Sequence, residues 1–353
     1  MPTCIPGLRL RAAALLLGGS VLLLGAARAI SWRSCGGERA TGADAGFEHQ
    51  LTVCTLVHEE SRYLPEWIEF HRLQGADHFV VYDDGSAAPA RNLERYIADG
   101  LVELHVVNGT HEPACASHPE DPSFYKLYDC QRALFQRCIA AHARRTRWLG
   151  VFDVDEFMFA PKAGRAATAA AQRSRRAEPH TLLRVLDAHP HASGFRFRGA
   201  VFGTSGLERE PDDAPGLAVP MLTPLLTHRQ TLTDVPPELA PFFWAHKQIA
   251  NPRHVTASAV HWFEYKRCAS ALIDFDVAAD APDSPQEVLM FHMQYRSRES
   301  ATHKAKLNVN KEVSFHSDRD ALFNAVLDER AAAYAPEVTA ALRERFPAPT
   351  ADG

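Results

Sequence analysis

No basic stripe runs through this chain. Its 38 lysines and arginines are outnumbered by 43 aspartates and glutamates, for a formal net charge of -5. A nucleic-acid partner therefore has no electrostatic support. No two cysteines stand at the short spacing of a zinc site. No internal repeat is visible. Histidine is plentiful at 18 residues, but a histidine-rich chain is not thereby a metal protein. What remains is ordinary globular composition, 46% hydrophobic and 23% charged, with enough apolar material for a large core. Once a short N-terminal segment is set aside, about 310 residues suit one large α/β domain or two small ones.

Long uncharged runs are scarce, and the one that matters opens the chain. Arg9 and Arg11 precede a run rich in Leu and Ala from Ala12 to Ala27. A helix of that length spans roughly 24 Å at ~1.5 Å per residue, slightly short of a ~30 Å hydrocarbon core. The flanking arginines favour a signal anchor with a cytosolic N-terminus by the positive-inside rule, and short spans suit thinner early secretory membranes. Ala27-Arg28-Ala29 also resembles a signal-peptide cleavage pattern. The anchor is the preferred reading, with a cytosolic tail over 1–11 and the anchor over 12–30. Both readings place residues 31–353 in an oxidising lumen. Asn108-Gly109-Thr110 is an N-glycosylation sequon in keeping with that. So are six cysteines beyond the run: Cys35, Cys54, Cys115, Cys130, Cys138 and Cys268. Their pairing cannot be read from spacing, and small buried hydrophobes are the competing reading for Cys54 and Cys138.

Residues 31–48, rich in Gly, Ser and Ala, read as a stem, with the main domain over 49–320 and a helix and tail over 321–353. Leu51–Val57 is a buried-type strand. Ser61 is the expected cap of a helix with Leu64, Trp67, Ile68 and His71 on one face, stopped at Gly75. Strands are expected at 78–82, 101–107 and 148–152, alternating with helices at 92–98 and 124–143. That alternation argues for a mostly parallel sheet. Phe195–Arg198, Lys247–Val260 and Val288–Tyr295 carry further short strands. Residues 160–180 and 208–241 read as irregular, and 321–346 as helical. Phe242-Phe243-Trp244 reads as core rather than as a sugar-stacking platform.

Ligands of parallel α/β sheets bind at the carboxyl ends of strands. Two predicted strands end on acids there: Tyr82-Asp83-Asp84-Gly85-Ser86 and Phe152-Asp153-Val154-Asp155-Glu156-Phe157. In an extended strand Asp153 and Asp155 share a face. Two carboxylates projecting together need a cation or donors. Hard oxygen ligands suit Mn²⁺ or Mg²⁺ bridging a diphosphate.

Several pieces, taken in order, resemble glycosyltransferase family 92. They are Cys54-Thr55-Leu56 to Tyr63-Leu64-Pro65-Glu66-Trp67-Ile68-Glu69-Phe70-His71, Tyr82-Asp83-Asp84-Gly85-Ser86, Asp129-Cys130, and Trp148 through Phe157. Then follow Phe202-Gly203-Thr204-Ser205-Gly206, Lys247-Gln248-Ile249, Val260-His261 and Phe291-His292-Met293-Gln294-Tyr295-Arg296-Ser297. The set spans about residues 51–306, while roughly 160–190 and 208–241 depart from the family's usual pattern. The resemblance implies an α/β fold: a GT-A-like, Rossmann-related mixed sheet flanked by helices, one large catalytic domain behind an N-terminal membrane anchor. It implies a type II Golgi membrane protein with a lumenal catalytic domain, transferring galactose from UDP-galactose to a glycan acceptor in β linkage, hence with inversion. Asp155 is then the direct metal ligand, with Asp153 on the metal, a metal-bound water or the ribose, and a late histidine, His292 or its competitor His261, as a further ligand. Asp84, with Asp83, would hold the nucleoside, and Lys247, Arg296 or Lys304 would face the diphosphate. Inversion requires a base for the acceptor hydroxyl. Glu156, Asp212, Asp213, Glu264 and His261 are candidates that the sequence does not separate. Transfer from another nucleotide sugar, or a non-catalytic glycan-binding role, are the alternatives.

Overall fold

A computed structural model describes residues 46–107, 113–115, 124–162, 181–231, 246–266, 269, 272–275, 288–307 and 317–346. The anchor, most of the stem, the sequon, Cys35, Cys268, residues 163–180 and Phe242-Phe243-Trp244 lie outside the described residues, as does the side chain of Lys304. Among the described residues, no helix is long and apolar enough to cross a membrane.

Strands β1 (His49–Val57), β2 (His78–Asp83), β3 (Val102–Val106) and β4 (Thr146–Val151) form a parallel block in the order β3-β2-β1-β4. Helices α1 (Leu64–Leu73), α2 (Glu94–Ala98) and α3 (Phe124–His142) connect them. The near-continuous apolar runs follow from burial on both faces. Val53, Val57, Phe79 and Val81 pack with Trp67, Ile68 and Phe70 of α1. Cys54, Leu56, Val80 and Tyr82 pack with Leu134, Phe135 and Cys138 of α3. A Cys54–Cys138 disulfide ties β1 to α3, and Cys115–Cys130 ties a short turn to the same helix. The free-thiol reading of Cys54 and Cys138 is thereby replaced.

The unbroken parallel run stops at β4; the sheet as a whole is mixed, with five of the eight strand pairings among its described residues parallel, in keeping with the expectation of a mostly parallel sheet. Beyond β5 (Glu156–Phe159), β6 (Gly194–Val201) and the two-residue β7 (His228–Arg229), strand β8 (His246–Ala250) runs antiparallel to both β4 and β6. After the hairpin of β9 (Val255–Ser258) and β10 (Phe263–Tyr265), β11 (Leu272–Phe275) and β12 (Leu289–His292) join β6 in parallel, and β5 closes the path antiparallel to β12. The full order is β3-β2-β1-β4-β8-β6-β12-β5, with β11 on β6. Helices α4 (Leu182–Asp187), α5 (Arg298–Leu307), α6 (Ser317–Phe323) and α7 (Ala335–Arg345) flank this frame.

Two local expectations change. Ser61 does not cap α1; Tyr63 occupies the cap without a side-chain hydrogen bond, and Pro65 sits in the first turn, where its missing N–H has no intrahelical partner to lose. Gly75 does end the helix region, at φ +100°. The stretch 321–346 is not one helix. It breaks after Phe323, and β13 (Val326–Leu327) pairs antiparallel with β7. The Asn324 side chain packs where Gly203 has no Cβ, its amide donating to the Asp320 carbonyl at 2.8 Å while its oxygen accepts from Ser205 N–H at 2.8 Å. Asp328 then accepts from the fully buried Arg229 at 2.7 Å.

Helix α1 also fixes β5 from the side that β12 leaves open. The Trp67 indole donates to the Glu156 carbonyl at 2.9 Å, His71 Nε2 accepts from Met158 N–H at 3.2 Å, and Gln74 Oε1 accepts from Ala160 N–H at 3.0 Å. Positions i, i+4 and i+7 of a helix share a face, and residues 156, 158 and 160 present backbone groups to the same side of a strand. The two periods match over this distance, so the helix completes the strand's hydrogen bonding.

Candidate active site

Because β1, β2 and β4 are parallel, their carboxyl ends meet at one edge of the sheet. His58, Asp84 and Asp153 follow β1, β2 and β4 there. The Asp153-Val154-Asp155 segment is not an extended strand; it is a turn between β4 and β5, closed by Glu156 N–H donating to the Asp153 carbonyl at 3.0 Å. Val154 is buried within the main core. Both carboxylates therefore come from a turn anchored by its middle residue, and strand alternation is not what gathers them.

Behind the turn lies Lys247, fully buried on β8. Its Nζ is 2.9 Å from Asp153 Oδ2 and 3.1 Å from Glu156 Oε2. Burial disfavours its charge, but the two carboxylates raise its pKa overall, so the ammonium persists. Gln131 on α3 donates to Asp153 Oδ1 at 2.6 Å. Asp153 is thus held by two donors. Glu156 is 1% exposed; its Oε2 accepts from Asp153 N–H at 2.9 Å, while Oε1 has no partner. Burial pushes its carboxyl up to about 7 against the opposing pull of Lys247.

In front of the turn, His292 at the end of β12 places Nε2 3.4 Å from Asp155 Oδ1. Burial opposes the imidazolium, yet the Asp155 carboxylate raises the pKa overall. Its Nδ1 is buried without a partner. Arg296 lies 3.9 Å above the Tyr63 ring and pairs with Glu60 through Nη2. Burial works against its charge, but Glu60 and then Asp155 raise its pKa further, which places a permanent cation near the turn. Tyr63 in turn donates to Glu210. His261 also belongs to the cluster. Burial, then Lys247, lowers it to about 4, so it is neutral at pH 7, with Nδ1–H donating to the His246 carbonyl at 3.1 Å.

The remaining sequence candidates separate by position. Asp83 is buried and accepts from Ser86 N–H at 2.8 Å, which shapes the turn after β2. Asp84 is half-buried, its pKa raised by burial, and its carbonyl accepts from His58 Nδ1–H. Lys247 faces the acidic turn and pairs there with the carboxylates of Asp153 and Glu156. Asp212 and Asp213 are exposed, and Asp213 pairs with Arg62 at 3.2 Å. Both line a separate pocket formed by residues 206–215 with Met221, Pro224 and Leu225. Glu264 is exposed on β10, opposite in alternation to Phe263 and Tyr265, whose N–H and hydroxyl donate to Gln248 at 3.0 Å. The structure brings Asp153, Asp155, Glu156, Lys247, His261, His292 and Arg296 together and leaves Asp212, Asp213 and Glu264 outside the cluster. Sequence reasoning did not single out Gln131, Tyr63 or Glu210 as site residues, and nothing local to those positions marks them.

Among the described residues, no three carboxylate, imidazole or thiol ligand atoms at this edge lie within 4.8 Å of one another. Asp155 and His292 supply two donors, so a cation here would complete its shell with ligand oxygens and water, as Mg²⁺ does in phosphate sites.

Fold and site together define a class: a mixed α/β domain whose curled sheet is flanked by helices, consistent with a GT-A-like architecture, with an acidic turn at the carboxyl edge. The family profile of glycosyltransferase family 92 matches residues 49–317, and the chain belongs to that family. Relatives named as glycosyltransferase family 92 proteins include one from Arabidopsis thaliana, 27% identical over 33% of this chain and 18% of its own. One from Ricinus communis is 23% identical over 54% of this chain and 29% of its own, and one from Oryza sativa subsp. japonica is 26% identical over 32% and 17%. The matched stretches span less than a third of these relatives' length.

Proposed function

We propose that this protein is a metal-dependent, inverting glycosyltransferase that moves galactose from UDP-galactose to a hydroxyl of a glycan acceptor. The observation that carries the reading is the acidic turn 153–155 at the carboxyl edge, with Asp155 opposed by His292 and Asp153 locked by Lys247 and Gln131. Family membership supports glycosyl transfer. Galactose and inversion rest on the family resemblance.

The donor set fits a hard divalent cation. Asp155 and His292 offer an oxygen and a nitrogen to one point, and His292 Nδ1 and Glu156 Oε1 are buried without partners. Mn²⁺ or Mg²⁺ held there would offset charge on the departing diphosphate. Asp153, fixed by two donors, would orient the ribose or a bound water. Arg296 supplies a second positive charge near the leaving group, and Asp83 with Asp84 forms the nucleoside side of the edge. The acceptor hydroxyl must lose its proton on the face opposite UDP. The base is drawn from Glu156 and His261, the two candidates that belong to the cluster. The two disulfides favour an oxidising lumen, in keeping with a type II Golgi protein anchored through residues 12–30.

The test is UDP release by the purified full-length chain across a panel of nucleotide sugars, with Mn²⁺, with Mg²⁺ and with chelator. Turnover confined to UDP-galactose and lost with chelator is expected. Turnover of another donor overturns the sugar assignment. No turnover together with no UDP–Mn²⁺ binding overturns the enzymatic reading.

A further inference from the structure

At the opposite edge of the sheet, a second group of side chains has no part in this chemistry. His78 opens β2, Glu103 lies on the neighbouring β3, and His142 ends α3. The run of β2 from His78 to Asp83 separates them from the nucleotide edge by about 17 Å at ~3.3 Å per residue. Their ligand atoms all lie within 4.8 Å of one another. His78 Nε2 is 3.7 Å and His142 Nε2 3.8 Å from the same oxygen, Glu103 Oε2.

These separations are too long for hydrogen bonds but close to a metal's coordination edge. Zinc–ligand bonds of ~2.05 Å at tetrahedral angles set ligand atoms about 3.3 Å apart. His78 is 4% and His142 1% exposed, yet both nitrogens of His78 and Nδ1 of His142 lack a hydrogen-bond partner. Buried polar atoms are rarely left so. Burial keeps both rings neutral, His78 at about 4 and His142 below its ordinary value, which leaves imidazole lone pairs available. The surroundings also suit a ligand carboxylate. His105 holds Glu103 Oε1 at 2.8 Å, so that Oε2 turns inward, an arrangement in which an outer histidine orients a ligating carboxylate. The nearby Arg145 is already neutralised by Glu48, through contacts of 2.7 and 2.8 Å.

We propose that His78, Glu103 and His142 form a structural site for a zinc-type divalent cation that clamps the amino edge of β2 and β3 to the end of α3. Two imidazoles and one carboxylate are a set that Zn²⁺ prefers over Mg²⁺, with water in the fourth position on the side of the partly exposed Glu103.

The experiment uses the full chain carrying Asp155→Asn, so that the nucleotide edge loses its own metal ligand. After chelator treatment and reloading with ZnCl₂, bound zinc is counted by mass spectrometry and melting is followed with and without zinc. One zinc per chain and a zinc-dependent rise in Tm are expected, with no rise from Mg²⁺. Adding His78→Gln, or separately the milder Glu103→Gln, should weaken zinc binding at least ~10-fold and remove the rise, while the zinc-free Tm of the Glu103→Gln chain stays at the parent value. Absence of zinc in the parent, or an equal zinc-dependent rise in the Glu103→Gln chain, overturns the assignment.

Discussion

Replacing Lys247 by Met tests whether the acidic turn is held by charge. In the native protein Glu156 is buried and carries a carboxyl at about 7, raised from 4.5. A carboxyl raised on folding stabilises the fold below its unfolded pKa, and that stability is lost as pH rises from 4.5 through 7. Lys247 limits the loss, because its ammonium at 3.1 Å holds the folded pKa down. Without the ammonium the folded pKa moves above 7. Between pH 7 and that new value the variant keeps losing about 1.4 kcal/mol per pH unit that the native chain does not. From pH 6.0 to 8.5 the difference in stability between the two chains should therefore grow, by up to about 2 kcal/mol where the variant's folded pKa reaches 8.5. The lost contact between the fully buried ammonium and Asp153 adds an offset that the comparison between the two pH values cancels. Urea titrations of both chains at the two pH values measure it. A stability difference that is the same at pH 6.0 and 8.5 would refute the reasoning.

Two further outcomes follow. Asp155→Asn should abolish UDP release, because the carboxylate opposite His292 is the oxygen donor of the proposed cation; retained turnover would remove Asp155 from the metal assignment. Replacing Cys54 and Cys138 together by Ala opens a loop of 84 residues and should lower stability by about 4.5 kcal/mol through unfolded-state entropy, read by denaturant unfolding against the native chain; a loss below 1 kcal/mol would show that the core around α3 holds without the bridge.

Much of the parallel half was legible because its signals are local. The apolar runs of β1, β2 and β4 and the face of Leu64, Trp67, Ile68 and His71 on α1 need no knowledge of distant residues. The acids at the ends of β2 and β4 were equally visible, since the position of a strand end decides which residues meet a ligand. What the sequence hid depends on partners far along the chain. The break at Phe323 comes from Asn324 meeting the loop at Gly203 and from β13 pairing with β7, contacts more than 90 residues apart. Gln131 reaches Asp153 only because α3 packs beside β4, and Lys247 finds its carboxylates only because β8 reverses direction next to β4. Asp212 and Glu264 carry the right chemistry, but nothing in their neighbourhoods reveals that they face elsewhere.

The three hydrogen bonds from α1 to β5 bear on how this protein meets its own copies. A sheet can grow by adding a strand wherever an outer row of backbone groups is free. At β5 that row is taken by Trp67, His71 and Gln74, so an incoming strand would first have to displace a buried helix. Among the described residues, outer rows remain at β11, which pairs with β6 alone, and at β3, where Glu103 and His105 place polar side chains in the outermost strand. Loss of the helix contacts, for instance in a chain lacking His71 and Gln74, would open a further edge lined by Phe157 and Phe159, and self-association there would then be limited by how often α1 lifts away.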